Sequence, residues 1–370
     1  MELKEDLQTY LDRANPRLRG KIEHSIDLIR KGEALALKYD KDNGYFLAFS
    51  GGKDSQCLIH LAQMAGVKFK ANMSLTSIDP PSVIRFVRHH YPDVVLHSPK
   101  ESIYSLAVKR KILPTRRVRW CCADLKESAS AGKVTLTGIR ASESVRRSKR
   151  NEVEVSNKKY SGDLDGFYEW SKEQFGKKRR KINEDEFSMT SDNEVRCIGG
   201  RDSIIINPIF TWTEKDVWDF LNDVCQVPHC ELYDEGFHRI GCILCPMASP
   251  RQKQIEIKRY PHVKKNWIKA IKEIINRGGY CRANIHVGIS DNISKEDGCK
   301  LGTKCTQNKN GLFSESPVTS GEVTGQKVFT EDEIAENFFD WWISGKGYEK
   351  WFAERFLQLK LFDSENEQTR

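Results

Sequence analysis

Residues 45–65 read Tyr45-Phe-Leu-Ala-Phe-Ser-Gly-Gly-Lys-Asp-Ser-Gln-Cys-Leu-Ile-His-Leu-Ala-Gln-Met-Ala65, and this stretch decides the fold of the 370-residue chain. Its first six residues are an almost continuous apolar run, which is typical of a buried strand. From residue 54 to 65 the apolar side chains recur at intervals of three and four residues, which predicts a helix with one buried face. The two glycines between these segments predict a tight turn.

The same alternation continues along the chain. Short apolar runs predict further strands over 69–78, 93–97, 133–137 and 203–209, and a helix runs through Ile84, Phe86 and Val87. Strands that alternate with helices are typical of a parallel sheet covered by helices. The sequence therefore predicts an α/β fold with a mainly parallel sheet and helices on both faces.

Other segments divide the chain into regions. Residues 1–44 are predicted to be a helical N-terminal segment, because Ile22, Ile26 and Ile29 recur at helical spacing. The central domain covers 45–225 and contains a polar, basic stretch, 151–200, that resembles an insertion or mobile loop. A cysteine-containing segment, 226–250, follows. Residues 251–370 are predicted to be helical over 251–280 and 331–362, with an irregular connection at 282–330.

Composition excludes several classes of protein. Apolar residues make up 38% of the chain and charged residues 30%, which is incompatible with a wholly disordered chain. No apolar run is long enough to span a membrane, and the N-terminus carries no apolar signal segment, so we expect a cytoplasmic protein without a membrane partner. Eleven cysteines in that compartment indicate metal ligands, redox groups or small buried side chains rather than disulfides.

The net charge of +8 is concentrated in three basic clusters. Lys109–Arg119 contains six Lys and Arg residues and no acid, Arg146–Arg150 contains four, and Lys177–Lys181 is an unbroken run of five. Clusters of this kind attract phosphates of nucleotides or nucleic acids. The alternative is that each is a solvated surface loop.

The hexapeptide Ser50-Gly51-Gly52-Lys53-Asp54-Ser55 is a candidate anion site. Its glycines allow close approach of a ligand to the backbone, and helix N-terminal N–H groups bind anions. Lys53 adds a positive charge, the two serines add hydroxyls, and Asp54 is suited to Mg²⁺ that bridges phosphates. On this view a side chain at Gly51 would block the phosphate. The alternative is an ordinary tight turn with a capping serine.

Four stretches together resemble one family. The hexapeptide resembles the pyrophosphate loop of the ATP-pyrophosphatase superfamily. Within it, the other stretches resemble phosphoadenosine phosphosulfate reductase-like proteins, which include DNA phosphorothioation sulfur-transfer relatives. Those stretches are Asp79-Pro80-Pro81 with Phe86-Val87-Arg88 and Tyr91-Pro92, Thr137-Gly138-Ile139-Arg140 followed by Arg146-Arg147, and Asn207-Pro208-Ile209-Phe210-Thr211-Trp212-Thr213-Glu214-Lys215-Asp216-Val217-Trp218.

This resemblance implies a Rossmann-like fold of the adenine nucleotide alpha hydrolase type, with ATP or an adenylyl sulfate as the bound nucleotide. Its phosphates would lie on Gly51 and Gly52, with Lys53 and Asp54 as catalytic residues. Gly138 belongs to the segment that binds the substrate anion, where Arg140, Arg146 and Arg147 would meet a sulfate or phosphate. Guanidinium groups suit such anions. The alternative for the arginines is a solvated face.

Five cysteines form a second candidate site. Cys242-Ile-Leu-Cys245 places two thiolates within reach of one metal, and Cys230 precedes the pair closely. The adjacent Cys121 and Cys122, paired with a later Cys-x-x-Cys, resemble the [4Fe–4S] arrangement of assimilatory adenylyl-sulfate reductases. We predict Cys230, Cys242 and Cys245 as ligands with one of the adjacent pair, Cys122 being preferred. Zn²⁺ is the alternative metal, since it also accepts four thiolates, and small buried side chains are the alternative role.

The C-terminal region departs from the reductases, because it lacks their Glu-Cys-Gly-His-like nucleophile segment. We therefore expect an ATP-using sulfur-transfer enzyme with nucleic acid as acceptor and a sulfur-donor protein as a further partner. A reductase or sulfotransferase acting on adenylyl sulfate is the second hypothesis. A non-catalytic subunit that binds nucleotides or nucleic acid is the third.

Overall fold

The computed structural model describes residues 5–116, 118–130, 132–156, 196–198, 203–277, 303–307, 313–317 and 331–345. The chain forms two compact units. The first comprises Met1–Pro99 and Cys122–Gly241, and the second comprises Lys100–Cys121 and Cys242–Arg370. Both units are therefore discontinuous in sequence, and a boundary falls inside the 226–250 segment that the sequence sets apart.

The helices and strands follow one another in this order: α1 Leu7–Arg13, α2 Pro16–Lys31, α3 Glu33–Tyr39, β1 Tyr45–Ala48, α4 Lys53–Ala65, β2 Phe69–Ser74, α5 Pro81–His90, β3 Val95–His97, α6 Ile103–Arg110, α7 Trp120–Leu125, β4 Val134–Leu136, α8 Val145–Ser148, β5 Val153–Ser156, β6 Arg196–Ile198, β7 Ser203–Ile206, α9 Glu214–Asp219, α10 Pro250–Arg259, α11 Pro261–Asn276, β8 Thr303–Gln307, β9 Phe313–Pro317 and α12 Glu331–Ser344.

A seven-stranded sheet in the order β3-β2-β1-β4-β7-β5-β6 forms the core of the first unit. Every pairing is parallel except that of β5 with β7. Helix α4 contacts β1, and α3 contacts β1 and β4. The predicted α/β, Rossmann-like fold with a mainly parallel sheet is confirmed. The strand order reverses between β1 and β4, and ligands of such sheets bind beyond the strand ends at this point.

The five predicted strands all form, and each is two to four residues shorter than its apolar run. The first ends at Ala48 because the chain then turns through Gly51, whose φ of 72° is outside the strand region. Central strands are buried on both faces, so the neighbouring residues Phe46 and Leu47, which point to opposite faces, are only 6% and 0% exposed. A nearly continuous apolar run is the pattern that such a strand requires.

The predicted insertion over 151–200 is wrong at both ends, where the chain forms β5 and β6 of the sheet. Strand β5 was not predicted because its sequence includes a charged residue, Glu154. Glu154 on β5 is 0% exposed, and its carboxylate is paired with both Nε and Nη2 of Arg150. Asn207 also donates to it, at 3.3 Å. A buried carboxylate is tolerated when it is paired in this way. Residues 157–195 lie outside the described part of the chain.

The predicted helical N-terminal segment is confirmed for its described residues, which form α1, α2 and α3. Asn15 caps α2 by accepting the Leu18 N–H at 3.0 Å, and Pro16 occupies the first helical position. Helix α2 packs on α4 through a face in which Ile22 and Ile29 are 0% exposed.

A buried carboxylate joins α2 to the start of α9. Asp216 is 0% exposed and lies 2.5 Å from Arg17 Nη2 and 2.7 Å from Lys21 Nζ. It also accepts the N–H and hydroxyl of Thr213, which completes a capping box. Burial raises the pKa of Asp216, but Lys21 and the Thr213 hydrogen bonds outweigh burial and lower this pKa to about 2.

The second unit is built on helices with aromatic side chains at its core. Trp267 on α11 and Trp342 on α12 lie with ring centroids 4.8 Å apart, and Trp342 Nε1 donates to the Pro114 carbonyl at 2.7 Å. Phe339 is 0% exposed. The aromatic segment near residue 340 is thus a packing helix. Of the region 282–330, the structure describes β8 and β9, which pair antiparallel.

Among the described residues, we find no helix that combines the length and apolarity needed to cross a membrane.

We expect Asp216→Asn to lower the free energy of unfolding at pH 7 by about 2–4 kcal/mol, because two cations lose a buried partner. The contribution of this carboxylate is present above its unfolded pKa, near 3.8. It is lost as the pH falls from about 4 to about 2, since the folded pKa is the lower one. Urea unfolding at several pH values measures both effects.

The matched control is Asp219→Asn, which breaks the pair with Lys215, a side chain that is 74% exposed. This change should cost less than about 0.5 kcal/mol. Equal losses for the two variants would show that Asp216 does not anchor α2.

Candidate functional site

The hexapeptide loop lies where the strand order reverses, between the end of β1 and the start of α4. Gly51 adopts a left-handed φ of 72°, which glycine tolerates best. A Cβ on Gly51 would lie 2.7 Å from Val83 Cγ1 and 2.9 Å from Val87 Cγ2. The expectation that a side chain at Gly51 points toward a phosphate is therefore wrong, because this position faces α5.

Gly52 is the position that faces away from α5. Its φ of −86° is ordinary, and a Cβ there would lie 3.4 Å from the Tyr233 hydroxyl and 3.5 Å from Ser50 Oγ. These distances are ordinary van der Waals contacts, so alanine fits at this position. Gly52 is itself buried, and Ile240 Cβ would lie 3.9 Å from the added Cβ.

Two serines brace the turn. Ser55 Oγ donates to the Gly52 carbonyl at 2.8 Å and accepts the Ser50 N–H at 3.2 Å. Ser50 Oγ lies 3.2 Å from Ser55 Oγ. Ser55 is buried and Ser50 is exposed. Ser55 thus holds the loop conformation, and Ser50 is the hydroxyl available at the surface of the loop.

Lys53 is 3% exposed, and its ammonium is surrounded by groups from distant parts of the chain. Nζ donates to the His238 carbonyl at 3.2 Å, lies 3.7 Å from a Glu214 carboxylate oxygen and is 5.4 Å from the centroid of the Tyr233 ring. The Lys53 N–H donates to the Tyr233 hydroxyl at 2.9 Å. The predicted cation therefore lies at the helix N-terminus, where it adds to the positive end of the helix dipole.

Asp54 and Arg140 form an ion pair beside the loop. Arg140 Nε lies 2.6 Å from Asp54 Oδ1, and the arginine is 3% exposed. The other carboxylate oxygen lies 3.8 Å from Lys53 Nζ. Parallel strands β1 and β4 are neighbours, so the segments that follow them meet at one edge of the sheet. Glycine at position 138 allows the two segments to pack closely, because a Cβ there would lie 3.1 Å from the Asp54 backbone.

The other two predicted arginines lie on α8. Arg146 is exposed, and Arg147 pairs with Glu143. Burial, together with the charges of Arg239 and Arg150, lowers the pKa of Arg147. Arg140 contacts the loop directly through Asp54 and remains a predicted anion-binding residue. Arg146 and Arg147 remain predicted anion-binding residues.

Glu214, Tyr233 and His238 belong to this site, although none was predicted as a site residue. Glu214 lies in the stretch from Asn207 to Trp218 that carries the family resemblance. Tyr233 and His238 lie between Cys230 and Cys242, a segment that draws attention only to its cysteines. A tyrosine with no motif around it gives no signal of its own in the sequence.

The five predicted ligand cysteines are divided between the units. Cys122 and Cys230 belong to the first, and Cys121, Cys242 and Cys245 belong to the second. Cys230 is 1% exposed, and burial raises the pKa of its thiol. Within the described part of the chain, no group of three or more His, Cys, Asp or Glu side chains is arranged to hold a metal ion. The [4Fe–4S] or Zn²⁺ centre therefore stays a prediction.

Cys242 and Cys245 lie in one tight turn. The Cys245 N–H donates to the Cys242 carbonyl at 3.2 Å, and Leu244 has a left-handed φ of 56°. The Leu244 N–H donates to the buried carboxylate of Glu256 at 2.6 Å. Burial raises the pKa of Glu256. The second unit thus fixes this turn through a buried side chain.

Acids and carbonyls of the chain occupy part of the basic clusters. Lys109 pairs with Glu101 at 2.5 Å, and Arg116 donates to the Pro246 and Ala248 carbonyls. Arg147 and Arg150 each pair with a glutamate, as described above. These contacts reduce the positive charge that is available to a polyanion. The run Lys177–Lys181 lies outside the described residues.

The chain belongs to the phosphoadenosine phosphosulfate reductase domain family, which it matches over residues 44–248, more than half of its length. The resemblance found in the sequence is confirmed. The matched region contains the hexapeptide loop, Arg140, Glu214 and Tyr233. Fold and family together identify the matched region as a domain of this family built on a mainly parallel sheet.

Similar proteins extend this comparison. An uncharacterized protein of Methanocaldococcus jannaschii is 25% identical over 282 residues, covering 75% of this chain and 58% of that protein. A second from the same organism is 24% identical, covering 68% and 49%. The chain thus spans about half the length of these relatives. An adenosine 5′-phosphosulfate reductase of Staphylococcus epidermidis is 42% identical over 43 residues, 12% of this chain and 17% of the reductase.

Two solved structures match the chain at low similarity. A Candida glabrata FMN adenylyltransferase with FAD and inorganic pyrophosphate gives a TM-score of 0.38 at 14% identity, covering 68% of this chain and 79% of that one. A phosphoadenylyl-sulfate reductase from Candida auris gives 0.33 at 18% identity, covering 59% and 93%.

We expect Gly52→Ala to weaken binding of ATP or inorganic pyrophosphate by about tenfold, or about 1.4 kcal/mol, because the methyl group crowds Ser50 Oγ and the Tyr233 hydroxyl, which would contact the phosphates. The unfolding midpoint should change little, since the methyl group makes ordinary contacts. Isothermal titration calorimetry and thermal unfolding measure the two effects.

Gly51→Ala provides the contrast. Its left-handed backbone and its contact with α5 should lower the free energy of unfolding by about 1–3 kcal/mol. A Gly52→Ala variant that binds both ligands as the unmodified protein does would contradict the placement of the phosphates.

Proposed function

We propose that the chain binds ATP or an adenylyl nucleotide with its phosphates on the hexapeptide loop, and that it catalyses ATP-pyrophosphatase-type sulfur transfer with nucleic acid as the acceptor. The observation that carries this proposal is the cation pair at the loop. The buried ammonium of Lys53 and the buried guanidinium of Arg140 lie on either side of Asp54 at the N-terminus of α4. Fixed positive charges of this kind stabilise the negative charge of a phosphate and of its leaving group.

In the proposed reaction an acceptor oxygen attacks the α-phosphorus, the bond to the bridging oxygen breaks, and pyrophosphate leaves with the electron pair. Lys53 and the loop N–H groups would bind the leaving pyrophosphate. Hydrosulfide released by a donor protein then attacks the adenylated atom of the acceptor and forms a bond to sulfur. The bond from that atom to its oxygen breaks, AMP leaves with this oxygen and the electron pair, and the sulfur loses its proton to solvent. Arg140 would neutralise charge on the phosphate, and Asp54 would keep its guanidinium in place.

Asp54 can serve as a ligand of Mg²⁺ at this site. Arg140 binds one carboxylate oxygen, and the second lies 3.8 Å from Lys53 Nζ, beyond hydrogen-bond distance. One carboxylate is sufficient, because Mg²⁺ takes most of its other ligands from phosphates and water. A Mg²⁺ held by Asp54 would neutralise part of the phosphate charge.

The observation that favours nucleic acid as acceptor is the charge distribution. Residues 331–370 hold ten acids and five bases, so the positive charge is concentrated in the rest of the chain. Lys109, Arg147 and Arg150 are already paired with glutamates, so their charges are less available to nucleic acid. The argument therefore rests on the other basic residues. Lys177–Lys181 then carries the largest share of it, because the run contains no acid.

A reductase or sulfotransferase acting on adenylyl sulfate is the second candidate. Two observations favour it: the family match and the Staphylococcus epidermidis relative, which is an adenosine 5′-phosphosulfate reductase. The same loop and arginines would bind the sulfate or phosphates of that nucleotide. A binding subunit without catalysis is the third candidate.

Pyrophosphate release from ATP, measured with and without DNA or RNA, distinguishes the candidates. We expect anaerobically purified protein to bind ATP and to release pyrophosphate faster when nucleic acid and a sulfur donor are present. Conversion of adenylyl sulfate to sulfite with an added thiol, without nucleic-acid binding at low salt, would replace the proposal by the reductase. Binding without turnover of either nucleotide would support the binding subunit.

Replacing Lys177–Lys181 by five glutamines should weaken nucleic-acid affinity and its salt dependence. The log–log slope against salt should fall by about 0.9 for each phosphate of duplex DNA that the variant no longer neutralises. ATP affinity should not change. Fluorescence anisotropy at several salt concentrations measures the slope.

The control replaces five exposed bases that do not form a run and should change the slope less. If both variants behave alike, net charge alone accounts for binding. The control positions are Lys70, Arg251, Lys258, Lys265 and Lys269.

Metal analysis tests the predicted cysteine centre. If Cys242 and Cys245 ligate a cluster, anaerobically purified protein should contain iron and sulfide, or about one zinc per chain. Cys245→Ser should then lose the metal, whereas Cys57→Ser should retain it, because Cys57 is buried on α4. Metal-free protein that catalyses the reaction at the normal rate would refute the prediction.

A further inference from the structure

The Tyr233 hydroxyl lies directly against the hexapeptide loop. It accepts the Lys53 N–H at 2.9 Å and would be 3.4 Å from a Cβ on Gly52. Gly52 has no side chain and is itself buried, so the hydroxyl packs against the backbone on the face where Gly52 lacks a Cβ. This is the face on which the proposed function places the phosphates.

The position of the Tyr233 ring is fixed from several sides. Trp218 packs against it edge to face with centroids 5.0 Å apart, and the Lys53 ammonium lies 5.4 Å from the ring centroid. The preceding residue, Leu232, is 0% exposed and anchors the short 3₁₀ helix Glu231–Tyr233. A ring held by an aromatic edge and a cation places its hydroxyl with little rotational freedom.

The hydroxyl also keeps a hydrogen to donate. A phenol has one donor hydrogen and two acceptor lone pairs, and the Lys53 N–H uses one of the lone pairs. Burial raises the pKa of Tyr233, and the nearby Asp54 carboxylate raises it further. The phenol therefore stays protonated over the whole physiological range. The nearest cation, Lys53, has no lone pair that could accept this hydrogen.

We propose that Tyr233 is a phosphate-binding residue whose hydroxyl accepts the Lys53 N–H and donates its own hydrogen to a phosphate oxygen of the ligand on the loop. This proposal rests on the proposed function and names the ligand class as nucleotides with two or more linked phosphates. Residues 230–240 then line the phosphate site beside the loop. His238 belongs to the same lining, because its carbonyl holds the Lys53 ammonium.

Tyr233→Phe tests the proposal, because it removes one oxygen atom and keeps the ring between Trp218 and Lys53. We expect the dissociation constants of ATP and inorganic pyrophosphate to rise by about tenfold, the typical effect of losing one hydrogen bond to a charged group. Adenosine, which has no phosphate, should bind as it does to the unmodified protein. Calorimetry with these three ligands gives the result.

Tyr91→Phe is the matched control. It removes the hydroxyl of a tyrosine that is 4% exposed, accepts a hydrogen bond from Gln56 on α4 and lies 3.3 Å from His60 Nε2. Its affinity for all three ligands should equal that of the unmodified protein.

Each remaining outcome would overturn the proposal in a distinguishable way. Unchanged or tighter pyrophosphate binding by Tyr233→Phe would show that the hydroxyl is a bystander or a competitor for the Lys53 N–H. Equal weakening of adenosine and pyrophosphate would show that the residue only supports the fold. If the unmodified protein binds neither ATP nor pyrophosphate, the proposed function fails, and this proposal fails with it.

Discussion

A lysine ammonium buried at the start of a helix sets the geometry of the candidate site. Lys53 is 3% exposed, and burying a charge is unfavourable unless polar groups surround it. The compensating groups are the His238 carbonyl, the Glu214 carboxylate and the ring of Tyr233. Because all of them must lie near one nitrogen atom, α4, α9 and residues 230–240 are held around the same point.

The ion pairs of the candidate site differ in strength because their side chains differ in exposure. The Glu214 side chain is 57% exposed, so water screens its attraction for Lys53. The Arg140 side chain is 4% exposed and lies 2.6 Å from Asp54, so this pair is screened far less. The stronger pair joins the segments that follow two neighbouring strands. It therefore links the position of the loop to the strand order of the sheet.

Prediction from the sequence succeeded where a short stretch carries its own structural signal, and it failed where a distant partner was needed. The apolar run of β1 identifies a buried strand without knowledge of the rest of the chain. Strand β5 contains Glu154, whose burial depends on the nearby Arg150 and also on a hydrogen bond from the distant Asn207. A side chain on Gly51 would point toward α5, and the local sequence of the loop does not reveal this contact.

The sequence by itself determined the α/β class, the glycine turn between β1 and α4, and the presence of Lys53 and Asp54 at the helix start. These features follow from apolar periodicity and from the conformational freedom of glycine, which act over a few residues. Only the tertiary structure decided that Tyr233 completes the turn, and that Arg140 rather than Arg146 meets Asp54. Lys53 and Tyr233 are 180 residues apart in the chain, so their contact depends on how the sheet orders its strands and on which side chains can compensate a buried charge.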